Sequence, residues 1–150
     1  MKTGRFAAAL LVAAAWGVPA HAQFAMVPSP QCKAPSESQQ EIEREYRIDA
    51  SRHLYGCYPG RVFRGKLPPL LYSVMIVSVE IDAKGQVTAV DTVRKPAADE
   101  VAPWVQALVR RAAPFPAPAK FPGGSVRFTE IFLVDKSGLF QTDSLTEGQR

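Results

Sequence analysis

The chain has 150 residues, with 18 basic and 14 acidic side chains and a formal net charge of +4. The small basic excess comes without a dense run of Lys and Arg, so the composition excludes a typical nucleic-acid-binding protein. The length suits one domain rather than two, and it is enough to bury a modest core.

The first predicted element is a secretory signal peptide at residues 1–22. Lys2 and Arg5 precede an apolar stretch, and "AHA" forms an A-x-A cleavage site before Gln23. The alternative is an uncleaved membrane anchor, but a span needs about 20 apolar residues, and a proline and a histidine interrupt this run sooner. We therefore predict export to the periplasm, with an inner-membrane-anchored form facing the periplasm as the alternative.

Residues 23–37 are predicted to form an irregular strap, because three prolines in this segment prevent regular structure. Cys32 in the strap and Cys57 are the two cysteines of the chain. In an oxidising compartment such an even pair is typically bonded, and the chain-entropy treatment makes the cross-link worth roughly 3.5 kcal/mol. We predict a disulfide that staples the strap to the first helix.

A helix is predicted to follow, beginning with a capping box formed by Ser38 and Glu41 and ending near Tyr55. Residues 70–82 are apolar on both faces for most of their length, which predicts a central strand. The turn "DAKGQ" and an alternating segment at 86–94 predict its hairpin partner.

The C-terminal half is predicted to contain a helix at 99–112 and a strand at 126–135. A run rich in proline and glycine joins them at 110–124. Because neither neighbour could form a core alone, we interpret the run as an internal corner with Phe115 tucked into the core, rather than as a linker. Residues 137–150 are predicted to be a polar tail that frays from about Thr142.

Few side chains suggest chemistry. His53 and Cys57 have the spacing of a Cys/His nucleophilic pair or of two metal ligands, but the predicted disulfide uses the cysteine. The chain lacks the familiar catalytic and phosphate-binding motifs, so we predict no enzyme, no metal and no cofactor. Glu130 interrupts the apolar alternation of its strand, which suggests a guard against edge association or a contact with a basic partner.

The order of these features resembles the TonB C-terminal domain. The resemblance rests on "YP" at 58–59, "DAKGQV" at 82–87, the amphipathic helix, then "APFPAP" and an apolar strand, and it covers residues 38–136. It implies an α+β domain in which a three-stranded antiparallel sheet packs against two helices. It also implies that the last strand lies at the sheet edge, where a partner segment adds as a further strand, with Arg127, Thr129 and Glu130 as the contacting groups.

The resemblance therefore predicts a periplasmic, non-enzymatic interaction module. Its partner would be a protein, either an outer-membrane transporter or a second copy of the chain. No nucleic acid and no small-molecule substrate is expected. The alternative is a short, membrane-anchored TonB-like component of an outer-membrane transport system. The strap reaches only about 40 Å even when fully extended at about 3.1 Å per residue, so the long spacer of such transducers is missing.

Overall fold

The structure, a computed structural model, describes residues 19–149. Its helices and strands, in chain order, are α1 (Glu43–Cys57), β1 (Ser73–Ile81), β2 (Val87–Arg94), α2 (Val101–Arg111), β3 (Val126–Val134) and β4 (Phe140–Thr142). All strand pairs are antiparallel, in the order β2-β1-β3-β4. The α+β class predicted from the sequence is confirmed. All but the last four residues of the predicted signal peptide lie outside the described residues.

The sheet has four strands, so the prediction of three was wrong. The fourth strand, β4, lies within the predicted polar tail, and its three residues are buried. On one side it pairs with the end of β3, and on the other the Phe140 amide donates to the Arg61 carbonyl, 2.8 Å away. The Thr142 amide donates to the Tyr55 hydroxyl at 3.0 Å. The tail is therefore packed where fraying was predicted.

The central position of β1 follows from its side chains. Every second residue from Ser73 to Ile81 is buried on the face that packs against the helices. The intervening residues are partly exposed and point to the other face, which we call the uncovered face because neither α1 nor α2 packs on it. Val79 lies between Val90 of β2 and Phe128 of β3, so apolar side chains from three strands form one layer of the core. The two-faced apolar pattern thus correctly indicated a central strand.

The first helix begins at Glu43, several residues later than the predicted capping box. Ser38 does not cap it, because its hydroxyl donates to the Asp49 carboxylate, 2.8 Å away in the middle of α1. The residue before the helix, Ile42, is extended and offers no side-chain cap. Ser38 instead fastens the strap to the side of the helix.

The proline-rich run forms an internal corner. Phe115 is only 1% exposed, and the Tyr46 hydroxyl donates to the Pro116 carbonyl at 2.8 Å. The Phe115 amide donates to the carbonyl of Gly85 in the β1–β2 turn, 2.7 Å away. Gly85 has a φ of +79°, and a Cβ there would lie 2.1 Å from the Phe115 carbonyl oxygen. Only glycine fits where the turn meets the corner.

The strap contributes to the same core. Phe24 is buried, stacks on Tyr72 and meets Trp104 edge-on. The structure joins Cys32 to Cys57 through a disulfide, with the sulfurs 2.04 Å apart. Within the described part of the chain, neither helix has the length and apolarity that crossing a membrane requires.

Candidate functional site: the outer edge of the third strand

The outer edge of β3 is only partly paired with another strand. β4 covers β3 from Phe132 to Val134 and leaves the preceding residues without a strand neighbour. We call residues 126–131 on this side of β3 the capped edge. A β-strand edge presents unpaired backbone donors and acceptors, and these are a template for pairing with another chain.

Two side chains of α1 satisfy the backbone of Thr129 on the capped edge. The Thr129 amide donates to Glu43 Oε1 at 3.3 Å, and Arg47 Nη1 donates to the Thr129 carbonyl oxygen at 3.2 Å. Glu43 and Arg47 are four residues apart on α1, so they lie on one face of the helix. Together they make the two contacts that the backbone of a neighbouring strand would otherwise make.

Glu130 lies on the wrong face for the predicted partner contact. Its side chain is only 1% exposed and points toward α1, because it shares the inward alternation of Phe128 and Phe132. The Ser51 hydroxyl donates to this carboxylate at 2.8 Å, and the Ser144 hydroxyl also donates to it. Glu130 is therefore an internal acceptor, and the prediction that it points outward was wrong.

The Glu130 carboxylate also closes one end of the capped edge. Its Oε1 accepts the outward amide of Ile131 at 2.9 Å and the amide of Ser144 at 3.3 Å. Arg47 Nε lies 4.0 Å from the same carboxylate, so the basic partner considered for Glu130 is supplied by the chain itself. Glu130 thereby links α1, β3 and the C-terminal segment.

Arg127 and Thr129 lie two residues apart on the uncovered face of the sheet, as the resemblance implied for outward groups. Arg127 is 60% exposed and pairs with Glu80 on β1, with Asp91 of β2 at 3.9 Å. Such exposed pairs contribute little to stability, typically under about 1 kcal/mol, so they can be rearranged at low cost. The structure thus brings two of the three predicted residues together and separates the third.

Sequence reasoning missed Glu43 and Arg47. Their spacing, an acidic residue four positions before a basic one, is common on solvated helix faces, where the two side chains usually pair with each other. Nothing local indicates that they reach the backbone of β3, more than 80 residues away. Only the packing of α1 across the sheet edge reveals their role.

The cysteine and histidine side chains form a second cluster, on another side of α1. Their ligand atoms lie within 4.8 Å of one another, which sequence spacing alone could not show for Cys32. However, the two sulfurs are bonded to each other, and His53 Nε2 donates to the Ala112 carbonyl at 2.7 Å. Burial lowers the pKa of His53, which favours the neutral ring. The cluster would hold a metal only with the disulfide opened.

A groove of about 590 Å³ adjoins this cluster, between the strap and α1. Its charged lining is mixed, since Lys33 and Arg52 face Glu37 and Asp49. Arg52 and Asp49 already pair at 3.4 Å. The groove offers neither a concentrated charge nor an activated nucleophile, so it suggests no reaction.

The chain was compared with family models, curated proteins and solved structures, and none of them matches it. The resemblance to the TonB C-terminal domain therefore rests on the residues quoted above. Within the described residues, the capped edge is the feature of the structure that bears on function.

Proposed function

We propose that the protein is a non-enzymatic interaction module that binds an extended segment of a partner protein along the capped edge. The observation that carries this proposal is the pair of contacts to Thr129. Its amide and carbonyl face away from β1 and are held by Glu43 and Arg47 rather than by a strand. A partner strand would replace these two contacts with backbone hydrogen bonds of the same kind, which is β-augmentation.

The exchange is energetically feasible. Hydrogen bonds in folded proteins contribute only about 0.5–1.5 kcal/mol each in net terms, and exposed long side chains also lose conformational entropy when they are held in place. Glu43 is exposed, so it regains full hydration when it leaves Thr129. Arg47 keeps Glu130 and Asp143 close by, at 4.0 and 3.9 Å. Releasing the edge therefore leaves no buried charge without a partner.

The partner's side chains would be read on the uncovered face of the sheet. Successive residues of an added strand point to opposite faces, so every second one would lie beside Arg127 and Thr129. Arg127 can exchange its pairing with Glu80 for an acidic group of the partner. Backbone pairing would supply affinity, and these neighbours would supply selectivity.

The TonB resemblance supports the same location, since that family captures its partner beside the strand that corresponds to β3. In this chain β4 occupies the second half of that edge, so the partner has only residues 126–131 available. The predicted signal peptide makes the periplasm the expected compartment. Self-association along the same edge is the close variant of this proposal.

Site-specific photo-crosslinking in the producing cell tests the proposal. A photoreactive residue at position 127, on the uncovered face next to the capped edge, should form adducts with the partner. The same residue at position 93, a 61% exposed site on the opposite edge strand β2, is the matched control. Adducts of twice the chain mass would indicate self-association.

A second substitution links the adducts to strand addition. Thr129→Pro removes an amide that points away from β1, and proline is tolerated at such an edge position. Adducts at position 127 should then disappear, while thermal unfolding shows a folded domain. If Thr129→Pro leaves the adducts unchanged, or if position 93 captures the same protein equally well, the capped edge is not the binding site.

A further inference from the structure

One end of the domain carries an exposed leucine between lysines. Leu70 is 88% exposed, in the loop that leads into β1 and follows two prolines. Two shallow cavities flank the neighbouring Leu71. One, of about 350 Å³, is lined by Arg94 and Lys95, and the other, of about 300 Å³, by Lys136. We call this surface the Leu70 end.

Among the described residues, the cations at the Leu70 end form no ion pairs, and the carboxylate in their cavity lining accepts hydrogen bonds from a neighbouring serine. Within residues 19–149, the side chains of Arg94, Lys95 and Lys136 form no ion pair. Asp135, in the same cavity lining as Lys136, accepts the Ser137 amide at 3.0 Å and the Ser137 hydroxyl. Asp135 keeps its negative charge, so the two cavity linings together present three cations against one carboxylate, around an exposed apolar side chain.

The N-terminal segment leaves the domain at this same end. Phe24 stacks on Tyr72, whose ring borders both cavities, with the ring centroids 5.5 Å apart. A Cβ on Gly138 would lie 3.3 Å from Gln23, and Gly138 is in the same turn as Lys136. The apolar stretch that ends before residue 19 is thus attached to the chain beside the Leu70 end.

We propose that the Leu70 end binds the surface of an anionic lipid bilayer. Leu70 would enter the boundary between headgroups and acyl chains, and Lys95 and Lys136 would contact the lipid phosphates. Leu70 borders the smaller cavity, but it is 88% exposed and projects from its loop, so it is free to enter the surface of a bilayer. In the membrane-anchored alternative, the apolar stretch would also place a membrane on this side of the domain.

The proposed orientation is compatible with the proposed function but does not depend on it. β3 runs from Val126 to Val134, and its C-terminal residue pairs with Ser73 at the Leu70 end. Thr129 is five residues away along the strand, about 17 Å at about 3.4 Å per residue. A domain bound by its Leu70 end would therefore hold the capped edge away from the lipid.

Tryptophan quenching by brominated lipid tests this orientation. Leu70→Trp is compared with Ile42→Trp, a 58% exposed site at the start of α1, beside the capped edge. Each variant of the full chain is mixed with vesicles of brominated phosphatidylglycerol or of brominated phosphatidylcholine. We expect the added fluorescence at position 70, but not at position 42, to be quenched by the anionic vesicles. An apolar N-terminal stretch, if retained, is present in both variants, so the difference between them remains informative.

Charge variants test the role of the lysines. Lys95→Gln with Lys136→Gln should weaken binding to phosphatidylglycerol vesicles by on the order of tenfold, since each basic residue near an anionic surface adds a modest attraction. Lys33→Gln with Lys84→Gln removes the same charge from the strap and the β1–β2 turn and should have much less effect. Equal quenching at positions 70 and 42, no quenching at position 70, or equal losses in the two charge pairs would overturn the proposal.

Discussion

The two halves of the outer edge of β3 are satisfied in different ways. From Phe132 to Val134, the backbone of β4 completes the pairing. In the preceding half, side chains of α1 and Glu130 take the outward groups of Thr129 and Ile131. Strand pairing in the second half is part of the folded core. We infer that side-chain capping in the first half can be exchanged without unfolding, and the proposed partner strand would enter there.

The core beneath β4 gives the largest expected effect. Phe140 is fully buried and contacts the rings of Phe132, Trp104 and Tyr55. Phe140→Ala should lower the free energy of unfolding by about 3–5 kcal/mol, because it removes a large side chain and leaves a cavity. Denaturant titration measures this loss. Leu70→Ala, at an exposed site, should change stability by less than about 0.5 kcal/mol. Similar losses in both variants would show that β4 is not part of the core.

Glu130 joins the two halves, so its removal should have the next largest effect. Glu130→Ala leaves the Ser51 hydroxyl and the amides of Ile131 and Ser144 without their acceptor. We expect a loss of about 2–3 kcal/mol, since hydrogen bonds to charged groups are worth about 1.5–3 kcal/mol. Glu130→Gln keeps an acceptor oxygen and should lose less in the same denaturant titration. Equal losses would contradict a role for the acceptor oxygen, because Gln keeps both that oxygen and the side-chain volume and lacks only the negative charge.

Opening the capped edge should cost little stability. Glu43→Ala removes the exposed contact to the Thr129 amide and should lower the free energy of unfolding by less than about 1 kcal/mol. Hydrogen exchange at Thr129 should accelerate, while exchange at Leu133, under β4, stays slow. Crosslinking yield at position 127 should rise, because a competitor for the edge is gone. A fall in yield would instead identify Glu43 as a direct contact of the partner.

Protonation of His53 should have the smallest effect. It should lower the stability of the domain as a whole, and so of both halves of the edge alike. Burial lowers its pKa in the folded protein, so below the unfolded value of about 6.5 the unfolded state binds the proton first. The contribution of neutral His53 to the free energy of unfolding is therefore fully present above about pH 6.5, and it is lost as the pH falls toward the pKa of His53 in the folded protein. His53→Gln, which can still donate to the Ala112 carbonyl, should make the midpoint of unfolding less sensitive to acid. An unchanged pH profile in this variant would exclude His53 as the source.

The local patterns predicted most of the fold. The apolar alternation on both faces of β1 indicated its central place, and the flanks of the proline-rich run indicated a corner that buries Phe115. β4 was missed because it has only three residues, and two of them, Gln141 and Thr142, are polar. Gln141 is buried because its amide donates to the carbonyls of Phe63 and Gly65, more than 70 residues away. No local pattern encodes such distant partners.

The candidate site was predicted less completely, for the same physical reason. Arg127 and Thr129 were named because the resemblance to the TonB C-terminal domain implies a partner beside this strand. Glu130 lies at an inward position of the strand alternation, but it is charged, so an outward position was inferred. The serines whose hydroxyls make its burial possible lie far away in the sequence, at positions 51 and 144. Glu43 and Arg47 matter because of the strand edge they reach, and a helix pattern shows only which residues share a face.

The contact between Gly85 and Phe115 offers a way to recognise relatives of this chain. A Cβ at position 85 would collide with the Phe115 backbone, so the glycine of the hairpin turn and the backbone path of the proline corner constrain each other across the fold. We expect proteins of this architecture to carry both "DxxGQ" and "PFP", in this order, or to have lost both. Searching for the two short motifs as a coupled pair would find distant members even where each motif alone is too common to be informative.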